Sequence, residues 1–173
     1  MESLTNIRLG RNTEVDIILE MTRACGAFMR ENGIDQWDEN YPDIKTLERD
    51  ILANNLFVFE KNDVICGIIV LNEEQDKEYE EMDWENTTEP YILVHRLAVN
   101  PKVQRQGIAS QLMDFAENYA FENNYTSIRL DTFSQNPGNQ RFYERRNFNK
   151  LGEVFLPYKA EHPYYCYELI LKK

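Results

Sequence analysis

Six consecutive residues, Gln104, Arg105, Gln106, Gly107, Ile108 and Ala109, have the makings of a diphosphate grip. They stand between a strand-like run and a helix-like stripe. Several backbone N–H groups therefore gather around a glycine where the positive end of a helix dipole begins. Gly107 sits where a side chain would block a ligand, and Ala109 where only a small one fits. Two familiar phosphate loops are excluded, because neither G-x-G-x-x-G nor G-x-x-x-x-G-K-[S/T] occurs. A second pair with chemical potential is Asn136 and Tyr143, seven residues apart. Asn136 suits a helix N-cap and Pro137 the first helical position, where a missing N–H costs nothing. Two turns of helix span roughly that separation, so the cap and the phenol project to nearly the same side.

The elements that must position these groups can be read around them. Residues 91–99 form an apolar run that Asn100-Pro101 breaks, as expected of a buried strand. Ile108, Leu112, Phe115, Ala116 and Tyr119 follow with the spacing of a core-facing helix. Residues 126–132 alternate like a strand and lead into the helix capped by Asn136. Upstream, 6–10 read as a first strand and 13–32 as a helix with Val15, Ile18, Leu19 and Thr22 inward, stopped by Gly33. A loop carrying Ile34, Asp35, Gln36, Trp37, Tyr41 and Pro42 follows. Asp43 caps a second helix bearing Ile44, Leu47, Ile51 and Leu52. Residues 56–60 and 64–71 are strands of a hairpin turned by Lys61, Asn62 and Asp63. Residues 149–157 and 164–171 are closing strands. No repeat or linker divides the chain, so the expectation is a single α/β domain over 1–173, a mixed sheet with helices on both faces.

The order of strand, Q-x-x-G-x-A and helix resembles the acetyl-CoA loop of the GNAT superfamily of N-acetyltransferases. The run from Asn136 through Phe142, Tyr143, Glu144, Arg145 and Arg146 to Asn147-Phe148 is similar to that family's asparagine, tyrosine and G-F pattern. Asn147 replaces the usual glycine, a residue that tolerates a left-handed helix end. The resemblance implies a GNAT-like acyl-CoA N-acyltransferase fold, with parallel central strands that end at Val99 and span 127–132 and that splay around the cofactor arm. It implies acetyl-CoA as cosubstrate, with Gln104, Arg105, Gln106, Gly107, Ile108 and Ala109 on its diphosphate. Leu97, Ala98 and Val99 would bond the pantetheine through their backbones, and Asn136 would contact the same arm. An N–H of that strand could polarise the thioester carbonyl, a contribution of up to about 3–4 kcal/mol in well-studied hydrolases.

It also implies Tyr143 as the acid beside the sulfur. His95 is the candidate base or relay, since strand alternation groups Leu93, His95, Leu97 and Val99 on one face. Leu93 stands where family members commonly carry a glutamate base, which leaves His95 or a water chain to take the amine's proton. Arg96, on the other face, should pair with an acidic neighbour. Asp131 reads equally as a structural carboxylate or a ligand contact. The segment of Trp37 and Tyr41 borders the acceptor groove in the family, so Trp37 either stacks on an acceptor or anchors its loop.

Composition narrows the partners. A net charge of −11 over 173 residues argues against a nucleic-acid partner and disfavours anionic membranes. No apolar stretch is long enough to span a bilayer, and the first six residues carry no apolar leader. The three cysteines, Cys25, Cys66 and Cys166, lack metal-ligand spacing; no metal site is expected, and reduced thiols fit a cytoplasmic protein. The acidic run 73–85 either is a solvated loop or draws a cationic amine. Two functions stay open. One is an acetyl-CoA-dependent N-acetyltransferase acting on a small or peptide amine, and the other a non-catalytic acyl-CoA sensor or scaffold. A homodimer is compatible with either.

Overall fold

A computed structural model describes residues 5–88, 90–159 and 161–172. The reading of the amino terminus falls mostly on 1–4, outside the described residues. The element order is β1 (Thr5–Leu9), α1 (Val15–Glu31), α2 (Ile44–Leu52), β2 (Leu56–Lys61), β3 (Val64–Asn72), β4 (Tyr91–Val99), α3 (Ile108–Glu122), β5 (Ser127–Phe133), α4 (Pro137–Arg145), β6 (Asn149–Val154) and β7 (Tyr164–Ile170). Hydrogen-bonded neighbours follow the order β1-β2-β3-β4-β5-β7-β6 in one seven-stranded mixed sheet. The elements and their sequence are those expected, with bounds moved by a residue or a few. No helix among the described residues is long and apolar enough to cross a membrane. The chain divides into two compact units, each drawn from two segments. One runs to Leu71 and resumes over His95–Ala116, and the other holds Asn72–Val94 and runs on from Glu117.

In the first unit, local signals set the element ends. Gly33, at φ +78°, closes α1: its N–H bonds Arg30 O at 3.0 Å and the Ile34 N–H bonds Met29 O at 2.9 Å. These are the two bonds of a Schellman stop. Asp43 caps α2 by accepting from the Thr46 N–H at 2.8 Å. Asn62 and Asp63 both take positive φ, the two-residue turn whose twist suits a hairpin. Ile18, Leu47, Leu56, Val58, Ile68 and Val70 are fully buried together. Each such side chain contributes about 1.5–3 kcal/mol of burial energy. β3 is buried at every position after Val64, a continuous apolar run rather than an alternating one.

Two features of this unit had no signal in the reading. A Cβ on Gly67 would lie 2.9 Å from Ala98 O and 3.1 Å from the Leu112 side chain, so β3 admits that close approach only with glycine. Arg96 takes φ +47° in the middle of β4. A left-handed residue interrupts the pleat, so alternation no longer carries His95 onto one face with Leu97 and Val99, and that argument for His95 loses its premise.

In the second unit β5 pairs antiparallel with β7 from Ser127↔Ile170 to Phe133↔Tyr164, and β7 pairs antiparallel with β6. β4 meets β5 in a parallel ladder over Tyr91–Leu93 and Ser127–Arg129, three residue pairs long. Arg129 and Glu168 form a buried ion pair at 3.1 Å, their side chains 5% and 0% exposed. Glu168 also accepts from Ser127 Oγ at 2.8 Å and from the N–H groups of Glu85 and Asn86 at 2.8 and 3.2 Å. Arg129 donates to Gln75 Oε1 and to Asn86 O, both at 2.8 Å, with its guanidinium 4.3 Å from the Trp84 ring centre and 3.8 Å from that of Tyr91. The acidic segment is thereby tied to the sheet at Gln75, Trp84, Glu85 and Asn86. It is a fastened strap, not a free loop.

Candidate active site

The predicted phosphate grip lies in the first unit. Residues 104–107 are exposed, and Ile108, buried, opens α3. Arg105 and Gly107 both take positive φ, +62° and +77°. This bends the chain so that successive N–H groups turn outward, the arrangement of an anion nest. A Cβ on Gly107 would meet nothing within 4 Å, so the space over the bend is open. The first bond of the helix runs from the Gln111 N–H to Gly107 O at 3.1 Å. The N–H groups of Gly107, Ile108, Ala109 and Ser110 find no acceptor among the described residues. Open space above orphan donors at a helix start fits a diphosphate. Lys61, at the end of β2, donates to Gln106 Oε1 at 3.3 Å and brings a cation to the bend.

β4 leads to that bend. Leu97 is half-buried and Ala98 buried. The Val99 carbonyl accepts from Cys25 Sγ at 3.1 Å, so this acceptor is engaged inside the unit. Burial pushes the Cys25 thiol up to about 12, the chemistry of a packed cysteine and not a nucleophile. His95 is partly buried. Arg96 pairs with Asp50, as expected of it, through Nε–Oδ2 at 2.7 Å and Nη2–Oδ1 at 2.9 Å, and Nη1 donates to the Tyr41 hydroxyl at 3.0 Å. The hydroxyl of Tyr41 is thus held by β4. Trp37, 9% exposed, belongs to the core cluster, stands edge-on to Tyr41 at 6.0 Å, and has its carbonyl bonded by Arg30 Nη1 at 2.6 Å. That is the geometry of a loop anchor.

The second unit carries Asn136 and Tyr143. Asn136 caps α4 by accepting from the Asn139 N–H at 3.2 Å, and Pro137 takes the first turn. Asn139 Nδ2 reaches Thr132 Oγ1 at 3.3 Å, which ties the helix start to β5. Asn147 ends the helix at φ +67°, the left-handed role its sequence position suggests. Tyr143 is 5% exposed, and its ring packs against those of Phe142, Phe148 and Tyr167 at 5.2, 5.9 and 6.2 Å. Its hydroxyl has no acceptor among the described residues. Burial, with the charge of Asp131 added, pushes the phenol well above its ordinary value. A phenol that keeps its proton and has nowhere internal to give it is built as a donor.

One contact in this unit escaped the sequence reading. Tyr79, buried in a short 3-10 turn (Lys77–Glu81) of the acidic segment, donates its hydroxyl to Asp131 Oδ2. Burial pushes the Asp131 carboxyl up to about 6; the Tyr79 bond opposes that rise and the charge of Asp76 adds to it. The partners lie 52 residues apart. The available signal was a tyrosine and a tryptophan inside a mostly charged run, positions a solvated loop does not need.

Residues 22–148 match the model of the acetyltransferase (GNAT) family. YesJ of Bacillus subtilis (strain 168), an uncharacterized N-acetyltransferase, is 27% identical over 128 residues, covering 72% of this chain and 71% of that one. Among solved structures, a GNAT-family acetyltransferase from Streptococcus agalactiae 2603 matches with TM-score 0.83 at 21% identity, over 98% of this chain and 96% of that one. The PaiA N-acetyltransferase of Thermoplasma acidophilum, solved in complex with coenzyme A, matches with TM-score 0.72 at 15% identity, over 97% and 99%.

Proposed function

The chain belongs to the acetyltransferase (GNAT) family, and from that membership we propose that it moves an acetyl group from acetyl-CoA to a primary amine of a small molecule or an exposed peptide. The observation that carries the reading is Tyr143: the side chain is buried, its phenol holds its proton, and its hydroxyl has no acceptor among the described residues. A module that only binds acyl-CoA has no need of an acid in that condition.

The division of labour follows from what each residue can do. Acetyl-CoA supplies a thioester, a carbonyl carbon open to a nitrogen nucleophile with a thiolate as leaving group. The N–H groups around Gly107 and the dipole of α3 bind the diphosphate, with Lys61 and Arg105 adding positive charge. Backbone groups of Leu97 and Ala98 and the side chain of Asn136 hold the pantetheine arm, as in the family. Tyr143 Oη donates to the departing sulfur, which spares the reaction a free thiolate. His95 remains a relay candidate on its position in β4. Trp37 and Tyr41 shape the acceptor side through the loop they fix, rather than by stacking on the amine.

Thiol release from acetyl-CoA over a panel of amines tests the proposal directly. Amine-dependent release supports it. Tight acetyl-CoA binding with no release across a broad panel would instead favour the sensor.

A further inference from the structure

Among the described residues seven other than glycine take positive φ, and five of them are asparagine or aspartate, which reach the left-handed region at little cost. Arginine does not share that ease. Arg105 lies in the open bend before α3, but Arg96 stands inside β4 at φ +47°. A residue in such a conformation is kept there by what surrounds it. Around Arg96 the surroundings are a buried fork. Nε and Nη2 donate to the two oxygens of Asp50 at 2.7 and 2.9 Å, and Nη1 donates to the Tyr41 hydroxyl at 3.0 Å. The Arg96 and Asp50 side chains are 8% and 1% exposed. We propose that Asp50 is a positioning residue for acetyl transfer: by fixing the Arg96 guanidinium it holds that residue left-handed, and so aims the N–H groups that follow it in β4. The proposal rests on the acetyl-transfer reading, in which the backbones of Leu97 and Ala98 hold the pantetheine arm, and names what sets their direction.

The mechanics follow from the backbone. The peptide unit after Arg96 carries the Leu97 N–H, and because that unit is planar the Arg96 dihedrals decide which way it faces. Turning φ back to the extended range would swing the side chain about the N–Cα bond and pull the guanidinium off its carboxylate. Asp50 cannot follow, because α2 is fixed. Leu47 and Ile51 of that helix belong to the buried core, Asp43 caps its start, and Asp50 O accepts from the Asn55 N–H at 2.9 Å. A planar guanidinium bonded twice to one carboxylate and once to a phenol keeps little rotational freedom. Beyond Arg96 the strand is pinned again. Val99 O accepts from Cys25 Sγ at 3.1 Å, and the Asn100 N–H bonds Cys66 O at 2.8 Å. Leu97 and Ala98 lie between these two anchors, all of them within the first unit.

An ion pair kept only for stability would answer to its charges and not to the backbone freedom of residue 96. That difference separates the two roles. Asp50→Asn combined with Arg96→Gly, and Asp50→Asn combined with Arg96→Ala, both remove the pair and leave no buried charge unpaired. They differ by a methyl group, and only glycine enters the left-handed region freely.

Both double variants are assayed well below their melting temperatures with acetyl-CoA and the best amine of the panel. The glycine variant should be faster than the alanine variant by about 10-fold or more, and the gain should lie in kcat. Acetyl-CoA affinity by calorimetry should agree between them within about 3-fold, since the bend at Gly107 is untouched in both. Should the alanine variant fail to fold, Asp50→Asn alone takes its place in the comparison. Amide NMR of the chain without acetyl-CoA reads the same device without turnover. The Ala98 and Val99 peaks of the glycine variant should stay near their wild-type positions, and those of the alanine variant should move. Equal kcat in the two variants, or peaks that move alike in both, overturns the assignment while acetyl transfer stands. Absence of amine-dependent thiol release in the wild type sinks the transfer reading itself, and the positioning role with it.

Discussion

Arg129–Glu168 and Asp131–Tyr79 start two residues apart on β5, and the second unit treats their charges in opposite ways. Glu168 accepts from Arg129, Ser127, Glu85 and Asn86, and Arg129 is bonded on three sides between two aromatic rings. Asp131 has one neutral donor, Tyr79, and two negative or neutral neighbours in Asp76 and Cys166. A charge kept for structure is saturated with partners, because any unpaired remainder costs stability. A charge left with one neutral donor and no cation keeps the penalty of its burial, and its pKa rises instead.

The contrast breaks hardest at Glu168. Glu168→Ala strands the Arg129 guanidinium in the interior and should cost about 3–5 kcal/mol, read as a fall in the urea midpoint. It should also loosen the acidic segment, visible as faster amide exchange over 73–86. Tyr143→Phe comes next: turnover should fall about 10²-fold, equivalent to about 2.7 kcal/mol, with acetyl-CoA affinity by calorimetry nearly unchanged. Unchanged turnover would remove the phenol from the chemistry. The smallest effect has the opposite sign. Because the Asp131 pKa is raised on folding, its charge destabilises the folded chain above pH 6, and the penalty fades as pH falls toward the unfolded value near 4. Asp131→Asn should therefore raise Tm at pH 8 by about 2–4 °C, the shift that ~1 kcal/mol gives at this chain length, and leave it unchanged near pH 4. A lower Tm at pH 8 would place Asp131 with Glu168, among the structural charges.

The same contrast explains what the sequence discloses. The Gly33 stop, the Asp43 cap, the Asn62-Asp63 turn and the pairing of Asn136 with Tyr143 are all written within a few residues, where spacing carries the physics. The element order follows from them. Tyr79 with Asp131, Glu85 and Asn86 with Glu168, and the approach of β3 to Ala98 at Gly67 join residues tens of positions apart, which no periodicity marks. Arg96 misled for a different reason: a left-handed residue inside a strand leaves the apolar run 91–99 intact while changing which way its side chains point. Trp37 was readable as a large aromatic in a loop, but only the packing around it tells an anchor from a platform.

Cys25, Cys66 and Cys166 are all buried, and burial raises the pKa of each thiol. A disulfide reagent such as Ellman's added to the native chain should therefore count liberated coenzyme and almost nothing of the enzyme, so the progress curve needs no background subtraction. The same reagent in denaturant reacts with these sulfurs as they surface, which turns three silent residues into a clock for opening of the fold.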